Sequence, residues 1–207
     1  MTGSLTLSSE PDCIDQSEAK AYGMKLIYYL TGQGGRLTEG LGAALANCGL
    51  EVQGRELYGD FRRLPFDEQV PLIVEDLSKS HWTQQSQVIA NSFGAYLFLH
   101  AQSALPPYPG KVLLLSPILG EFGDENTGTY FVPPRANKLK MLAELGSFPT
   151  PINCEIHVGS EDWQSNPDAV STFGRLVGIP VNVVPGNGHM LDKTYVQQVI
   201  RSTFLTV

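Results

Sequence analysis

Short apolar runs alternate along most of this chain with segments whose apolar residues have helical spacing. That alternation predicts a mainly parallel β-sheet wrapped by helices, because each connection between parallel strands then carries a helix back across the sheet. We therefore expect an α/β fold with about six strands. The predicted strands cover residues 25–30, 50–57, 87–91, 111–116, 154–158 and 181–184.

Helices are predicted between these strands from apolar residues spaced three and four apart. In residues 36–48, Leu37, Leu41 and Leu45 fall on one face, and Gly49 suits a left-handed helix end. In residues 67–80, Pro71 fits only if it lies in the first turn. Further helices are predicted over 93–103, 137–145 and 167–177 and at the C-terminus, and a Gly-, Pro- and aromatic-rich excursion covers 120–135.

The size and composition of the chain fit one domain. Its 207 residues are 42% hydrophobic and 17% charged, so they can bury one continuous core. Residues 1–22 are rich in Ser, Thr, Asp and Glu without sustained periodicity. We expect them to form a weakly ordered extension, followed by a single domain over residues 23–207.

Charge and cysteine content argue against several classes of partner. A formal net charge of −7 opposes binding to nucleic acid. Cys13, Cys48 and Cys154 are odd in number and lack a CxxC pair, so neither a disulfide framework nor a metal site is expected. No organic cofactor is implied.

Neither a run of the ~20 apolar residues that span a bilayer nor a signal peptide is evident, so we expect a cytoplasmic protein without a membrane segment.

One motif places a serine between a predicted strand and a predicted helix. Residues 90–94 read Ala-Asn-Ser-Phe-Gly, with Ser92 at the junction. Such a sharp turn lifts the serine hydroxyl clear of the sheet, and small residues two before and two after it relieve crowding. The helix that follows points backbone N–H groups toward any oxyanion formed there. A serine at this junction is also a common N-cap, so the motif alone leaves both interpretations open.

An acid and a histidine follow at the ends of later strands. Asp162 closes Gly-Ser-Glu-Asp after residues 154–158, and neighbouring Glu161 is an alternative acid. His189 lies in a glycine-rich loop before the last helix. Ser92, Asp162 and His189 therefore occur in the order nucleophile, acid, base. His81, His100 and His157 fall within or beside predicted helices and strands, where a structural histidine is expected.

These residues together resemble the α/β-hydrolase family, and the resemblance covers residue 25 to the C-terminus. It implies that Ser92 is the nucleophile, His189 the base and Asp162 the orienting acid of a serine hydrolase that forms an acyl-enzyme.

The family's oxyanion hole combines two backbone N–H groups, and the resemblance implies Phe93 for one of them. The second comes from the loop after the first core strand, here Thr31-Gly32-Gln33-Gly34, with Gln33 or Gly34 as donor. Thr31 stands where the family usually has histidine.

Two other functions compete with hydrolysis. Gly32-Gln33-Gly34 also begins a dinucleotide-binding pattern, but Leu37 occupies the position of its third glycine. A non-catalytic ligand- or protein-binding member of the fold is the second alternative. Because no long insertion able to form a lid precedes Asp162, we expect a small-molecule acyl substrate of small or moderate size, while the sequence leaves the oligomeric state open.

Overall fold

A computed structural model describes residues 25–124 and 128–205 of the chain. The predicted extension at 1–22 lies outside the described residues. Six strands form one parallel sheet in the order β2-β1-β3-β4-β7-β8. These strands are β1 (Lys25–Leu30), β2 (Leu50–Arg55), β3 (Gln87–Asn91), β4 (Lys111–Leu115), β7 (Asn153–Gly159) and β8 (Val181–Val184). The predicted α/β architecture is confirmed.

Helices cover both faces of this sheet. They are α1 (Leu41–Asn47), α2 (Gly59–Arg63), α3 (Phe66–Ser80), α4 (Phe93–Gln102), α5 (Ala136–Glu144), α6 (Pro167–Val177) and α7 (Lys193–Ile200), the last continuing into a π-helical turn at Arg201–Leu205. Asn166 caps α6 by accepting hydrogen bonds from two backbone N–H groups, and Pro167 opens that helix, which covers the residues predicted for it.

The sheet divides the core into two layers because alternate strand residues point to opposite faces. Tyr28 and Leu30 of β1 pack with residues of α3, α4, α5 and α6. Ile27 and Tyr29 pack on the other face with residues of α1, α7 and the π-helical turn. Helix α4 is buried along its whole length, which explains its nearly continuous apolar sequence.

Two predicted boundaries differ from the structure by more than one residue, and the predicted place of Pro71 in its helix is also wrong. Helix α1 begins at Leu41 rather than residue 36, because Gly40 before it has φ 53°. Strand β2 ends at Arg55, and Leu57 lies in the following loop. Pro71 lies beyond the first turn of α3, which begins at Phe66. Pro71 is exposed, so water can bond the carbonyl that its missing N–H leaves unpaired.

The excursion after β4 contains a small antiparallel hairpin, β5 (Phe122–Asp124) paired with β6 (Thr129–Phe131). Within the described ranges, no helix is long and apolar enough to cross a bilayer.

Strand order positions the candidate site residues. The chain runs from β1 outward to β2 and then returns to β3 on the opposite side of β1. Open α/β sheets bind ligands outside the carboxyl ends of the strands where the order reverses in this way. The loop after β1 and Ser92 after β3 meet at that point.

Candidate active site

Ser92 occupies a sharp turn between β3 and α4. Its backbone has φ 54° and ψ −123°, a conformation that side chains rarely adopt. The turn is fixed because Ser92 N donates to the Leu115 carbonyl at 2.8 Å. Ser92 occupies the N-cap position of α4, but its side chain makes no capping hydrogen bond there. The Ser92 hydroxyl is therefore available for hydrogen bonds to groups outside α4.

The structure brings the three predicted residues together. His189 Nε2 lies 2.8 Å from Ser92 Oγ. On the other side of the ring, His189 Nδ1 lies 3.0 Å from each carboxylate oxygen of Asp162. The Asp162 side chain is fully buried, and that of His189 is 14% exposed. This arrangement can hold the imidazole in one tautomer and receive a proton from the serine hydroxyl.

Asp162 is held as a carboxylate. Burial acts to raise its pKa, but the hydrogen bond from His189 and those from the backbone N–H groups of Ser165 and Gln164 outweigh burial, so the pKa of Asp162 lies below its ordinary value. Glu161, the alternative acid, is exposed. The structure therefore sets Asp162 rather than Glu161 against His189.

The loops that carry Asp162 and His189 are joined directly. Glu161 N donates to the Asn187 carbonyl at 2.8 Å, which joins the two loops, and within the His189 loop Asp192 N donates to the Asn187 side chain at 2.7 Å. Gly159 permits this approach, since a β-carbon there would lie 2.1 Å from the Asn187 carbonyl oxygen. The position of His189 thus depends on the loop after β7 as well as on its own.

Of the two N–H groups predicted as donors in the loop after β1, only that of Gln33 has no acceptor among the described residues. Gly34 N donates to the Leu57 carbonyl at 2.9 Å, and Gly32 N donates to the Asn91 side chain at 2.9 Å. Neither Gln33 N nor Phe93 N donates to any atom of the described chain. Gln33 is therefore the better of the two predicted loop donors, and an oxyanion at Ser92 could receive both N–H groups.

Thr31, which stands where the family usually has histidine, makes structural hydrogen bonds in the loop after β1. Its side chain is fully buried, accepts a hydrogen bond from Leu57 N at 2.8 Å and donates to the Gly35 carbonyl at 3.2 Å. Glu56, the acid nearest to the position that a dinucleotide site needs, accepts a hydrogen bond from Leu37 N at 2.7 Å. These contacts hold the loop in shape.

A crevice of about 250 Å³ opens beside Ser92 and His189. It lies between α1 and α7, and its lining is mainly apolar: Leu41, Ala44, Leu115, Leu191, Val196 and Ile200. Trp163 does not line it. Instead the Trp163 ring packs edge-on against Phe122 at 5.7 Å, and Phe122 in turn contacts Phe131 of the hairpin.

The remaining histidines lie elsewhere. His81, His100 and His157 are buried, and burial lowers the pKa of each. His157 Nδ1 contacts the Tyr195 hydroxyl at 2.7 Å, whereas His100 Nε2 has no partner among the described residues. The same part of the chain contains no group of three His, Cys, Asp or Glu side chains placed to hold a metal ion.

Comparison with known proteins shows a likeness in fold. No model of a protein family matches the chain, and no curated protein sequence matches it. Among solved structures, the ydeN gene product from B. subtilis superposes with a TM-score of 0.61 at 13% identity, covering 88% of this chain and 100% of that one. Carboxylesterase CesB (YbfK) from Bacillus subtilis gives 0.60 at 14% identity, over 87% and 84%. Paleococcus ferrophilus monoacylglycerol lipase gives 0.59 at 12% identity, over 87% and 93%.

The chain has the α/β-hydrolase fold.

Within this α/β-hydrolase fold, two site residues escape the sequence analysis. Asn91 accepts hydrogen bonds from Gly32 N and from the Tyr29 hydroxyl, which ties the loop after β1 to the residue before Ser92. Ser165 supplies one N–H to Asp162. Asn91 occupies a position of the serine motif that any residue can fill, and Ser165 is a serine in a loop. Sequence alone therefore gives no signal for either residue.

Proposed function

We propose that this protein is a serine hydrolase that cleaves a carboxylic ester or related acyl compound through an acyl-enzyme. The observation that carries the proposal is the 2.8 Å contact between His189 Nε2 and Ser92 Oγ, with Asp162 on the opposite ring nitrogen. A serine hydroxyl is a weak nucleophile unless a base removes its proton as it attacks. The contact supplies that base.

The reaction would proceed in two halves. Ser92 Oγ attacks the acyl carbon while His189 Nε2 takes the hydroxyl proton, and Asp162 stabilises the imidazolium. The N–H groups of Phe93 and Gln33 receive the charge on the carbonyl oxygen. His189 then returns its proton to the leaving alcohol as the bond to the acyl carbon breaks. Water, deprotonated by His189, releases the acid and restores Ser92.

The crevice favours a small or moderate substrate. Pockets for drug-sized ligands occupy roughly 300–1,000 Å³, and the space beside Ser92 is about 250 Å³. Its apolar lining suits a short hydrocarbon group. With p-nitrophenyl esters of increasing acyl length we expect kcat/KM to peak at short chains. A steep rise beyond about ten carbons, where each further CH₂ still gains burial, would contradict this part of the proposal.

A fluorophosphonate probe tests the proposed nucleophile. An activated serine hydroxyl forms a bond to phosphorus and expels fluoride, which adds one defined mass to the intact protein. We expect one adduct on the native protein and none on Ser92→Ala or on heat-denatured protein. Ser78→Ala is the matched control, because Ser78 is exposed on α3, and it should label fully. A folded native protein without an adduct would refute the proposal and favour a non-catalytic binder.

A further inference from the structure

Helix α7 presents one face to the crevice beside Ser92. The lining residues that it contributes are spaced three and four apart, which places them on one side of the helix: Lys193, Val196, Gln197 and Ile200. Their exposure falls along the helix, from Lys193, which is exposed, through two half-buried residues to Ile200, which is 1% exposed. Helix α7 therefore runs from the mouth of the crevice to its base, with Lys193 at the mouth.

Lys193 brings a positive charge to this mouth. Among the described residues that line the crevice, it is the one lysine or arginine, and none is an aspartate or glutamate. The preceding residue, Asp192, accepts a hydrogen bond from Tyr195 N at 3.0 Å. Glu39, which lies just before α1, pairs with Arg36 at 3.0 Å. The lining itself therefore supplies no carboxylate to neutralise the lysine ammonium.

The crevice thus combines a charged mouth with an apolar interior. A lysine lays its hydrocarbon stem along apolar surface and keeps its ammonium in water, which suits a position at such a mouth. A carboxylate of the substrate also avoids the apolar interior, because burying an unpaired charge costs free energy. The Cα atoms of His189 and Lys193 are at most about 14 Å apart, since four residues of extended chain span no more. A hydrocarbon chain of a few carbons, together with the lysine stem, bridges that distance.

We propose that Lys193 binds an anionic group at the mouth of the crevice, and that the preferred substrate is an ester whose crevice-bound half is a short hydrocarbon chain ending in a carboxylate. This inference rests on the proposed hydrolase function and names the substrate class, namely half-esters of short dicarboxylic acids or esters of short hydroxy acids. Lys193 contacts no reacting atom in this arrangement. It determines specificity by pairing with the far end of the substrate.

Two pairs of isosteric esters test the proposal. Monoethyl adipate and the corresponding terminal amide differ by one charge in the acyl half, and the acetate esters of 4-hydroxybutanoate and 4-hydroxybutanamide differ likewise in the alcohol half. For each pair the ratio of kcat/KM, anionic ester over neutral amide, is measured from released acid at about pH 7.5, where carboxylates are ionised and lysine is protonated. Comparing the ratio between proteins cancels the intrinsic reactivity of the esters.

We expect Lys193→Gln to lower this ratio about fivefold, the upper range for an exposed ion pair, in the pair whose charged half occupies the crevice. Lys193→Glu should lower it further, because it places a like charge beside the substrate carboxylate. Salt should have the same effect on the native protein. At about 1 M NaCl, where the Debye length is about 3 Å, its ratio should approach that of Lys193→Gln.

Lys140→Gln is the matched control, because it removes the same charge from an exposed position on α5, outside the lining of the crevice. Its ratios should equal those of the native protein, and melting temperatures verify that every variant is folded. Ratios that neither change at Lys193 lowers in either pair would overturn the inference. So would an equal loss in Lys140→Gln, which would assign the effect to net charge.

Fluorophosphonate labelling separates these outcomes from failure of the proposed function, because labelling reports the activation of Ser92. The four esters also compete with the probe for Ser92, so the slowing of labelling by each one gives the charge preference even where turnover is too slow to measure. A native protein that does not label contradicts the proposed function itself. A native protein that labels but shows no preference for the anionic esters overturns the role of Lys193 alone.

Discussion

Gly94 lies against the carbonyl oxygen of Thr31, at a distance that leaves no room for a side chain. A β-carbon built on Gly94 would lie 2.3 Å from that oxygen and 2.5 Å from the carbonyl oxygen of Leu30. Helix α4 therefore packs directly on the end of β1, where the loop with the spare Gln33 N–H begins. The second small residue of the Ser92 motif thus couples the serine turn to that loop.

We expect Gly94→Ala to lower the free energy of unfolding by about 2 kcal/mol and to abolish the proposed esterase activity, because both clashing atoms belong to the backbone and only a shift of β1 or α4 can relieve them. Urea denaturation and p-nitrophenyl butyrate hydrolysis measure the two effects. Gly188→Ala is the stability control, since a β-carbon there meets nothing within 4 Å. A Gly94→Ala protein as stable as the control would contradict the packing described.

The architecture could be predicted from sequence because the strands of a parallel sheet are buried on both faces. The central strands β1 and β3 were predicted with the bounds that the structure shows. The start of α1 was wrong because periodicity does not report backbone conformation. Leu37 fits the apolar stripe of the predicted helix and does pack on the core layer that α1 and α7 cover. It does so from a loop that precedes Gly40.

The site was predictable in part. Ser92, Asp162 and His189 stand at strand ends, where motif and order make them visible, and the structure brings their side chains together. Their catalytic roles stay predictions. The choice between Gln33 and Gly34 depended on a hydrogen bond between Gly34 and Leu57, residues far apart in sequence, and such a contact leaves no pattern in the chain.

The backbone N–H of Gln33, rather than its side chain, should matter for catalysis. Gln33→Pro removes that N–H, and we expect kcat to fall about 10²-fold to 10³-fold, as loss of one oxyanion donor typically costs. Gln33→Ala retains the N–H, and its kcat should stay within about threefold of the native value, because the side chain is exposed. Steady-state kinetics of both variants, with melting temperatures to verify folding, give the comparison. Equal losses in the two variants would assign the effect to the side chain.

Asp162→Asn tests the orienting acid. An asparagine can still accept the hydrogen bonds from Gln164 N and Ser165 N through its side-chain oxygen, but its amide then faces His189 Nδ1 and favours the wrong tautomer. We expect kcat to fall about 10³-fold to 10⁴-fold with little change in KM. Glu161→Gln, the neighbouring exposed acid, should keep full activity. If Glu161→Gln were the more damaging change, the acid would have been assigned wrongly.

His100 should make the fold sensitive to mild acid. Burial, aided by the positive charges of Lys138 and Arg135, lowers its pKa from 6.5 to about 3. Below pH 6.5, His100 is therefore protonated in the unfolded chain but stays neutral in the folded chain. The contribution of His100 to the free energy of unfolding is complete above pH 6.5 and is lost progressively as the pH falls toward 3. The loss approaches about 1.4 kcal/mol for each pH unit in that window.

His100→Phe keeps an aromatic ring against Phe66 and Tyr96 and removes the titrating group. We expect its free energy of unfolding, measured in urea between about pH 7.5 and pH 5, to decline less steeply than that of the native protein. His81 and His157, whose pKa values burial also lowers, remain in both proteins and cancel in the difference. Because the cause is uptake of one proton by the unfolded chain, the gap between the two curves must widen as the pH falls. Parallel curves would mean that His100 is protonated in the folded protein.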